Sequence, residues 1–111
     1  MSVIKQQDII DSIADACQYI SYFHPEDFVT AMVEAYENEK SEAAKNALGQ
    51  ILINSKMCAL GHRPLCQDTG SVNIFVRVGL KANLELTKEL VDVLNEGVAK
   101  GYTNPDNTLR Y

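Results

Sequence analysis

The sequence predicts an α+β fold in which about three N-terminal helices form a bundle and a strand–helix unit follows. Apolar residues recur at helical spacing through the N-terminal half of the chain. β-Branched residues then alternate with other side chains over residues 72–78, as a β-strand requires. Because one strand cannot form a sheet alone, we expect residues 1–111 to be a fragment of a larger α+β domain.

The first helix is predicted from two faces of opposite character. Apolar residues at helical spacing form one face: Ile9, Ile10, Ile13, Cys17 and Ile20. Polar residues form the other face: Asp11, Ser12, Asp15 and Gln18. This pattern is typical of an amphipathic helix that packs on a core.

The second helix is predicted to begin in the segment "HPEDF" and to run to about Glu37. Pro25 suits the first helical position, where its missing N–H costs nothing. Glu26 and Asp27 would interact favourably with the positive end of the helix dipole.

The third helix is predicted from Ser41, a good N-cap, to a stop at Gly61. Gly49 lies inside it and costs about 1 kcal/mol relative to alanine. Close packing against a neighbouring helix would explain why a glycine is tolerated there.

A strand over residues 72–78 and a fourth helix from near Leu84 to Lys100 complete the prediction. The helix has a line of apolar residues on one side: Leu86, Leu90, Val93, Leu94 and Val98. Turn signals follow at Asn104-Pro105 and Asp106-Asn107, so the last residues are expected to form a loop.

Composition excludes several classes of function. The formal net charge is -5 and the basic residues are scattered, which argues against nucleic-acid binding. No apolar run approaches the roughly 20 residues of a membrane span, and no glycine-rich phosphate loop opens a helix. The N-terminus lacks a secretory signal. Three cysteines therefore indicate reduced thiols in a cytoplasmic protein.

The segment "HRPLCQDTG" carries the candidate chemistry. The thiolate of Cys66 could bind a metal or an iron–sulfur cluster. Gln67 could orient a carboxylate or hydroxyl, and Asp68 could act as a general base. Gly70 would let the chain turn into the strand. From these residues alone, a simple turn with a small apolar cysteine is the favoured interpretation of the segment.

Four segments resemble the N-terminal region of class I fumarases and the related L-tartrate dehydratases, which are iron–sulfur hydro-lyases. The segments are "NSKMCALGHRPLCQDTG", "VNIFVRVG", "NEGVAKGY" and "NPDNTLRY". The Cys-Gln-Asp-Thr-Gly block is the most specific of them. The resemblance runs the whole length of the chain, N-terminal helices included, and implies that residues 1–111 are the N-terminal part of the catalytic domain.

The resemblance implies specific roles for four residues. Cys66 would be one of three cysteine ligands of a [4Fe-4S] cluster whose fourth iron is open. Gln67 and Asp68 would contact the substrate, with Asp68 also transferring a proton. Arg110 would bind a carboxylate of a small dicarboxylate such as fumarate or malate, which suits the planar guanidinium group.

The other two cluster ligands would lie outside this chain. Cys17 and Cys58 fall on apolar helical faces and are predicted to pack in the core. The 111-residue chain alone is therefore expected to be inactive. The complete enzyme is expected to be a homodimer, again from the resemblance.

Two alternatives to fumarate hydration remain open. One is dehydration of tartrate by a subunit of the same family. The other is a non-catalytic helical interaction module in which the Cys66 segment is only a turn. His62 is interpreted as a solvated or hydrogen-bonded loop residue, and His24 as a residue of a helix cap.

Overall fold

The computed structural model describes residues 2–66 and 70–109. The order of elements is β1 (Val3–Lys5), α1 (Gln6–Tyr22), α2 (Glu26–Asn38), α3 (Glu42–Gly61), β2 (Asn83–Glu85) and α4 (Leu90–Tyr102). The predicted α+β class is confirmed. No helix in the described part of the chain is both long enough and apolar enough to cross a bilayer.

The chain forms two compact units. Described residues 2–19 and 70–109 make up the α1–α4 unit, and residues 20–66 make up the α2–α3 unit. All three predicted N-terminal helices are present. They are divided between the units, because most of α1 belongs with α4 whereas α2 and α3 belong together.

The sheet of the described residues has two short parallel strands. Val3 pairs with Asn83, and Lys5 pairs with Glu85. The Oε1 atom of Gln6 accepts hydrogen bonds from the backbone N–H and the hydroxyl of Thr87, at 2.9 and 3.1 Å, just beyond the paired strands. A strand of three residues is too short for side-chain alternation to reveal it, so sequence patterning did not predict this sheet.

The prediction of a strand at residues 72–78 is wrong. Residues 71–79 belong to no strand or helix, and no described segment pairs with them. The alternation nevertheless appears in the solvent exposure of the side chains. Phe75 is 96% exposed, whereas its neighbours Ile74 and Val76 are 37% and 50% exposed. Alternation determines which side chains face an apolar surface. A strand also requires a hydrogen-bonded neighbour.

The fourth helix begins later than predicted. It starts at Leu90 instead of Leu84 and ends at Tyr102. The predicted first turn is instead β2, since residues 83–85 pair with β1. Leu84 therefore fits the helical spacing of apolar residues in the sequence, although it lies in a strand.

Helices α2 and α3 match their predicted boundaries closely. Pro25 lies at the N-cap of α2, one position earlier than predicted. The Ser41 hydroxyl caps α3 by accepting a hydrogen bond from the N–H of Ala44 at 3.5 Å, as predicted. A Cβ atom at Gly49 would lie 3.3 Å from the ring of Tyr36. The two helices therefore pack closely at this glycine, as predicted.

The core of the α1–α4 unit depends on small residues in α4. Its buried apolar side chains are Ile10, Ala14, Cys17 and Val93. A Cβ atom at Gly97 would lie 2.7 Å from that of Ile13, and one at Gly101 would lie 2.8 Å from the carbonyl oxygen of Ala14. Real Cβ atoms do not approach so closely, so α1 and α4 can pack at this distance only with glycine at both positions.

Candidate functional site

The four predicted site residues are described unequally by the structure. Cys66 lies in the described part of the chain, with an exposed thiol at the end of the loop of residues 62–66. Gln67, Asp68 and Arg110 lie outside the described residues. The structure therefore shows the surroundings of Cys66 in one unit and, in the other unit, those of the 103–109 loop, which precedes Arg110 in the sequence.

The 62–66 loop begins with an unusual helix cap. His62 adopts the left-handed conformation at φ 52° and ψ 52°, a position usually taken by glycine. The ring of His62 stacks on that of Tyr22, with 4.5 Å between the ring centroids and an interplanar angle of 8°. The centroids of the His62 and Phe23 rings are 5.9 Å apart, in an edge-to-face arrangement. The N–H groups of His62 and Arg63 both donate to the carbonyl of Cys58. Aromatic packing thus accompanies a conformation that is costly for a residue with a side chain.

Hydrogen bonds from two helices hold the rest of the loop. The Cys58 thiol donates to the carbonyl of Pro64 at 3.5 Å, and the Asn54 amide donates to the carbonyl of Leu65 at 2.9 Å. The N–H of Leu65 in turn donates to the carbonyl of Ser21 at 2.9 Å. The backbone that leads to Cys66 is therefore tied to both α1 and α3.

Cys66 borders an open cleft on the surface of the α2–α3 unit. Polar side chains that line this cleft include His24, Gln50 and Asn54. The Nδ1 atom of His24 lies 2.9 Å from the hydroxyl of Ser55, so this histidine is held against α3. The N-cap of α2 is Pro25, and no side chain of the described residues caps that helix. The cleft gives a ligand or another polypeptide segment access to the thiol.

The three cysteines differ sharply in accessibility. Cys17 and Cys58 are buried, which confirms their predicted place in the core, whereas Cys66 is exposed. Burial raises the pKa of the Cys17 thiol, which disfavours the thiolate that a metal requires. The described residues contain no group of three or more His, Cys, Asp or Glu side chains placed to hold a metal ion. Of the three cysteines, Cys66 has the exposed thiol, so it could supply one donor to a metal.

A buried amide holds the 103–109 loop of the other unit. The side chain of Gln18 donates to the carbonyl of Gly101 at 2.6 Å and to that of Asn107 at 2.8 Å. It accepts a hydrogen bond from the side-chain amide of Asn107 at 2.8 Å. The assignment of Gln18 to the polar face of α1 is therefore wrong. Its exposed fraction is only 9%, because α4 and the loop cover it.

The loop also folds back on itself and on the end of α4. The carbonyl of Asn104 accepts hydrogen bonds from the N–H of Asn107 and the hydroxyl of Thr108, at 3.1 and 3.0 Å. The N–H of Leu109 donates to the carbonyl of Tyr102 at 2.9 Å. The turns predicted at Asn104-Pro105 and Asp106-Asn107 are confirmed.

Sequence patterning missed Asn54, Cys58 and Gln18 as residues that support the site. Asn54 and Cys58 lie four positions apart, so they share one face of α3, and that face leads to the loop. A polar residue and a cysteine on one helix face, shortly before "RPLC", could have been used to predict that this face contacts the loop. Gln18 carried no signal, since a glutamine beside a buried cysteine is equally typical of a helix boundary between core and solvent.

Comparison with known proteins decides the family. Residues 10–111 match the family described as Fumarate hydratase (Fumerase). The chain belongs to the fumarate hydratase family. It is also 35% identical over 92 residues to the protein of Methanocaldococcus jannaschii named "Putative L(+)-tartrate dehydratase subunit alpha". No solved structure gives a significant match.

The match covers 83% of this chain but only 32% of the archaeal protein. The chain thus spans about a third of the length of the curated relative that it matches. The resemblance inferred from the Cys-Gln-Asp-Thr-Gly block is confirmed at the level of the family.

Proposed function

We propose that this chain contributes part of the active site of an iron–sulfur hydro-lyase that adds water reversibly across the double bond of fumarate to form malate. Membership of the fumarate hydratase family is the single observation that carries the proposal. The exposed thiol of Cys66, on a loop tied to two helices, supports it.

The residues of this chain would act on a dicarboxylate in distinct ways. Arg110 would pair with one carboxylate through two parallel hydrogen bonds. Gln67 would contact the substrate as both donor and acceptor. In the direction of dehydration, Asp68 would take the proton from the carbon beside a carboxylate. The hydroxyl on the neighbouring carbon would leave as water after receiving a proton from a second catalytic group outside this chain. In hydration, Asp68 would return the proton to the carbon.

Cys66 would hold one iron of a [4Fe-4S] cluster, and the other two cysteine ligands would come from outside this chain. An accessible thiolate is the donor that such a cluster requires. When bound, the cluster supplies an iron with an open coordination position, which is a Lewis acid for the leaving oxygen. The cleft beside Cys66 leaves room for the segments that would carry the missing ligands.

Dehydration of L-tartrate is a second candidate activity. The name of the archaeal relative favours it, since that name specifies L(+)-tartrate. The substrate differs from malate by one additional hydroxyl group, so the residues of this chain could serve either reaction. Assays of both substrates with one preparation of the complete enzyme would separate the candidates.

The assembly follows from the same reasoning. We propose a homodimer for the complete cytoplasmic enzyme. The archaeal relative is named as subunit alpha, and this name favours an additional, different subunit in the same assembly. Light scattering on the complete enzyme would test the dimer, and a monomer would overturn it.

The decisive experiment replaces Cys66 with serine in the complete enzyme, prepared without oxygen. A hydroxyl group is a poor ligand for iron, so Cys66→Ser should lose the cluster absorbance, most of the bound iron and the activity. Cys58→Ser is the matched control, because it also exchanges a thiol for a hydroxyl group but should keep its iron. Normal iron content and turnover in Cys66→Ser would remove Cys66 from the site. A complete enzyme that binds no iron would favour the interaction module.

Asp68→Asn tests proton transfer separately from cluster binding. It retains the size of the side chain but cannot accept a proton, so turnover should fall about 10²-fold or more while iron content and substrate affinity change much less. Near-normal turnover with an intact cluster would leave Asp68 as a turn residue. The 111-residue chain alone should show no hydratase activity.

A further inference from the structure

Gln18 occupies an unusual environment for an amide side chain. It lies in α1 with an exposed fraction of 9%, next to the buried Cys17. An amide without hydrogen bonds in such a place would destabilise the folded state, because its polar atoms would have lost their bonds to water. A stable fold therefore retains Gln18 only if its polar atoms are paired.

The pairing is directed at one loop. Of the three hydrogen bonds that the Gln18 amide makes with α4 and the loop, two connect it to Asn107, one with the backbone and one with the side chain. The third reaches the carbonyl of Gly101 in the last turn of α4. One buried side chain thus joins the end of the helix to the middle of the loop that follows it.

Close helix packing makes this arrangement possible. A Cβ atom at Gly101 would lie 2.8 Å from the carbonyl oxygen of Ala14 and 2.9 Å from the Cβ of Cys17. Because residue 101 has no side chain, α4 lies close enough to α1 for Gln18 to reach the carbonyl of Gly101 at 2.6 Å. The hydrogen bond of Gln18 therefore depends on the glycine at position 101.

The Gln18 amide and a backbone hydrogen bond fix the end of the 103–109 loop. Asn107 is held by Gln18, and Leu109 donates its N–H to the carbonyl of Tyr102 at 2.9 Å. Residue 109 is consequently returned to the last turn of α4. Arg110 is the next residue in the sequence.

We propose that Gln18 is a positioning residue for substrate binding: its amide holds the 103–109 loop, which immediately precedes Arg110 in the sequence, in the conformation that binding of a substrate carboxylate requires. This inference rests on the proposed function, which assigns the carboxylate to Arg110. Gln18 itself does not touch the substrate. Its effect should therefore fall on substrate affinity and not on the chemical step.

Gln18→Leu in the complete enzyme tests the proposal. The apolar side chain keeps the site filled but removes every hydrogen bond to the loop. The Michaelis constant for the dicarboxylate should rise about tenfold, the equivalent of one or two lost hydrogen bonds, while kcat changes less than about threefold. Iron content should not change. Gln7→Leu is the matched control, because Gln7 lies in the same helix with an exposed side chain that bonds only to Asp11 among the described contacts.

Hydrogen exchange in the 111-residue chain gives a readout that is independent of the cluster. In Gln18→Leu the N–H of Leu109 should exchange about tenfold faster relative to the amides in the middle of α4. A general loss of stability would accelerate all of these amides together. If Gln18→Leu fails to fold, Asn107→Ala removes only the bond from the loop side and should produce the same two changes in smaller degree.

Arg110→Lys separates failure of this inference from failure of the proposed function. A lysine cannot form the two parallel hydrogen bonds of an arginine, so this variant should also raise the Michaelis constant. If it does not, the carboxylate role of Arg110 is wrong. If Arg110→Lys raises the constant but Gln18→Leu and Asn107→Ala behave like Gln7→Leu, only the positioning role of Gln18 is overturned.

Discussion

The 62–66 loop and the 103–109 loop both lead to predicted site residues, but they are held by different physical means. In the α1–α4 unit, the buried amide of Gln18 supplies short hydrogen bonds to Asn107 and Gly101. In the α2–α3 unit, Asn54 is exposed, the Cys58 thiol makes a weaker bond at 3.5 Å, and His62 stacks on an aromatic ring. A buried polar group costs far more to leave unpaired than an exposed one.

The burial of apolar side chains differs in the same direction. Among the described residues of the α2–α3 unit, Cys58 is the one buried apolar side chain, while Met57 and Leu60 in α3 are 66% and 76% exposed. The α1–α4 unit instead buries Ile10, Ala14 and Val93. The comparison teaches that the 103–109 loop is held by a buried side chain of the core, whereas the 62–66 loop is held mainly by exposed and half-buried groups.

The largest effect is expected from Gly101→Ala. The new Cβ would meet the backbone of Ala14, so α1 and α4 must separate, at a cost of about 1 to 3 kcal/mol in the free energy of unfolding. Gly49→Ala is the matched control. Its Cβ would meet only the ring of Tyr36 at 3.3 Å, and the gain in helix propensity of about 1 kcal/mol offsets that contact. Denaturant unfolding measures both. If both variants lost the same free energy of unfolding, the helices of the two units would be packed equally closely at these glycines.

A smaller effect is expected at Cys58. Cys58→Ala removes the donor to Pro64 and leaves a small cavity, so the free energy of unfolding should fall by about 1 to 2 kcal/mol. Cys58→Ser keeps a donor and should retain protection of the Leu65 N–H against hydrogen exchange better than Cys58→Ala. If serine and alanine expose this amide equally, the thiol acts only through packing.

The exposed amide of Asn54 should matter less than Cys58. Asn54→Ala should accelerate exchange of the Leu65 N–H by about two- to fivefold, with a change of less than about 1 kcal/mol in the free energy of unfolding. Asn46→Ala is the control, because Asn46 lies in the same helix and is exposed. An effect as large as that of Gln18→Leu would contradict the contrast between the two loops.

The smallest effect concerns the surface pair of Asp11 and Lys100 in the α1–α4 unit. A hydrogen bond from Lys100, with a second from Gln7, lowers the pKa of the Asp11 carboxyl group. A lowered pKa contributes stability above about pH 4 that is lost as the pH falls through the folded-state value. The unmodified chain should therefore have a slightly larger free energy of unfolding than Asp11→Asn at neutral pH. This difference should vanish in acid and become smaller as the salt concentration rises. A difference that is insensitive to salt would show a buried interaction.

Local patterns in the sequence were sufficient to predict helices α1 to α3 and to propose the candidate chemistry. Ser41 determines the start of α3 by capping it, and the spacing of apolar residues in α1 and α2 determines which segments are helical. These features depend on neighbours within a few residues, which a sequence displays directly. The same holds for the block that contains Cys66, since its residue types can be read without a structure.

Only the tertiary structure decided which segments pair and which polar groups are buried. The alternating residues 72–78 have the side chains of a strand, yet the described sheet is formed by Val3–Lys5 and Asn83–Glu85, nearly 80 positions apart. Gln18 resembles a surface residue in the sequence but is covered by Gly101 and Asn107, which lie more than 80 residues away. Contacts at such separations depend on the packing of the whole unit. No local pattern encodes them, because the free energy of burying or pairing a residue depends on the partner that the fold brings to it.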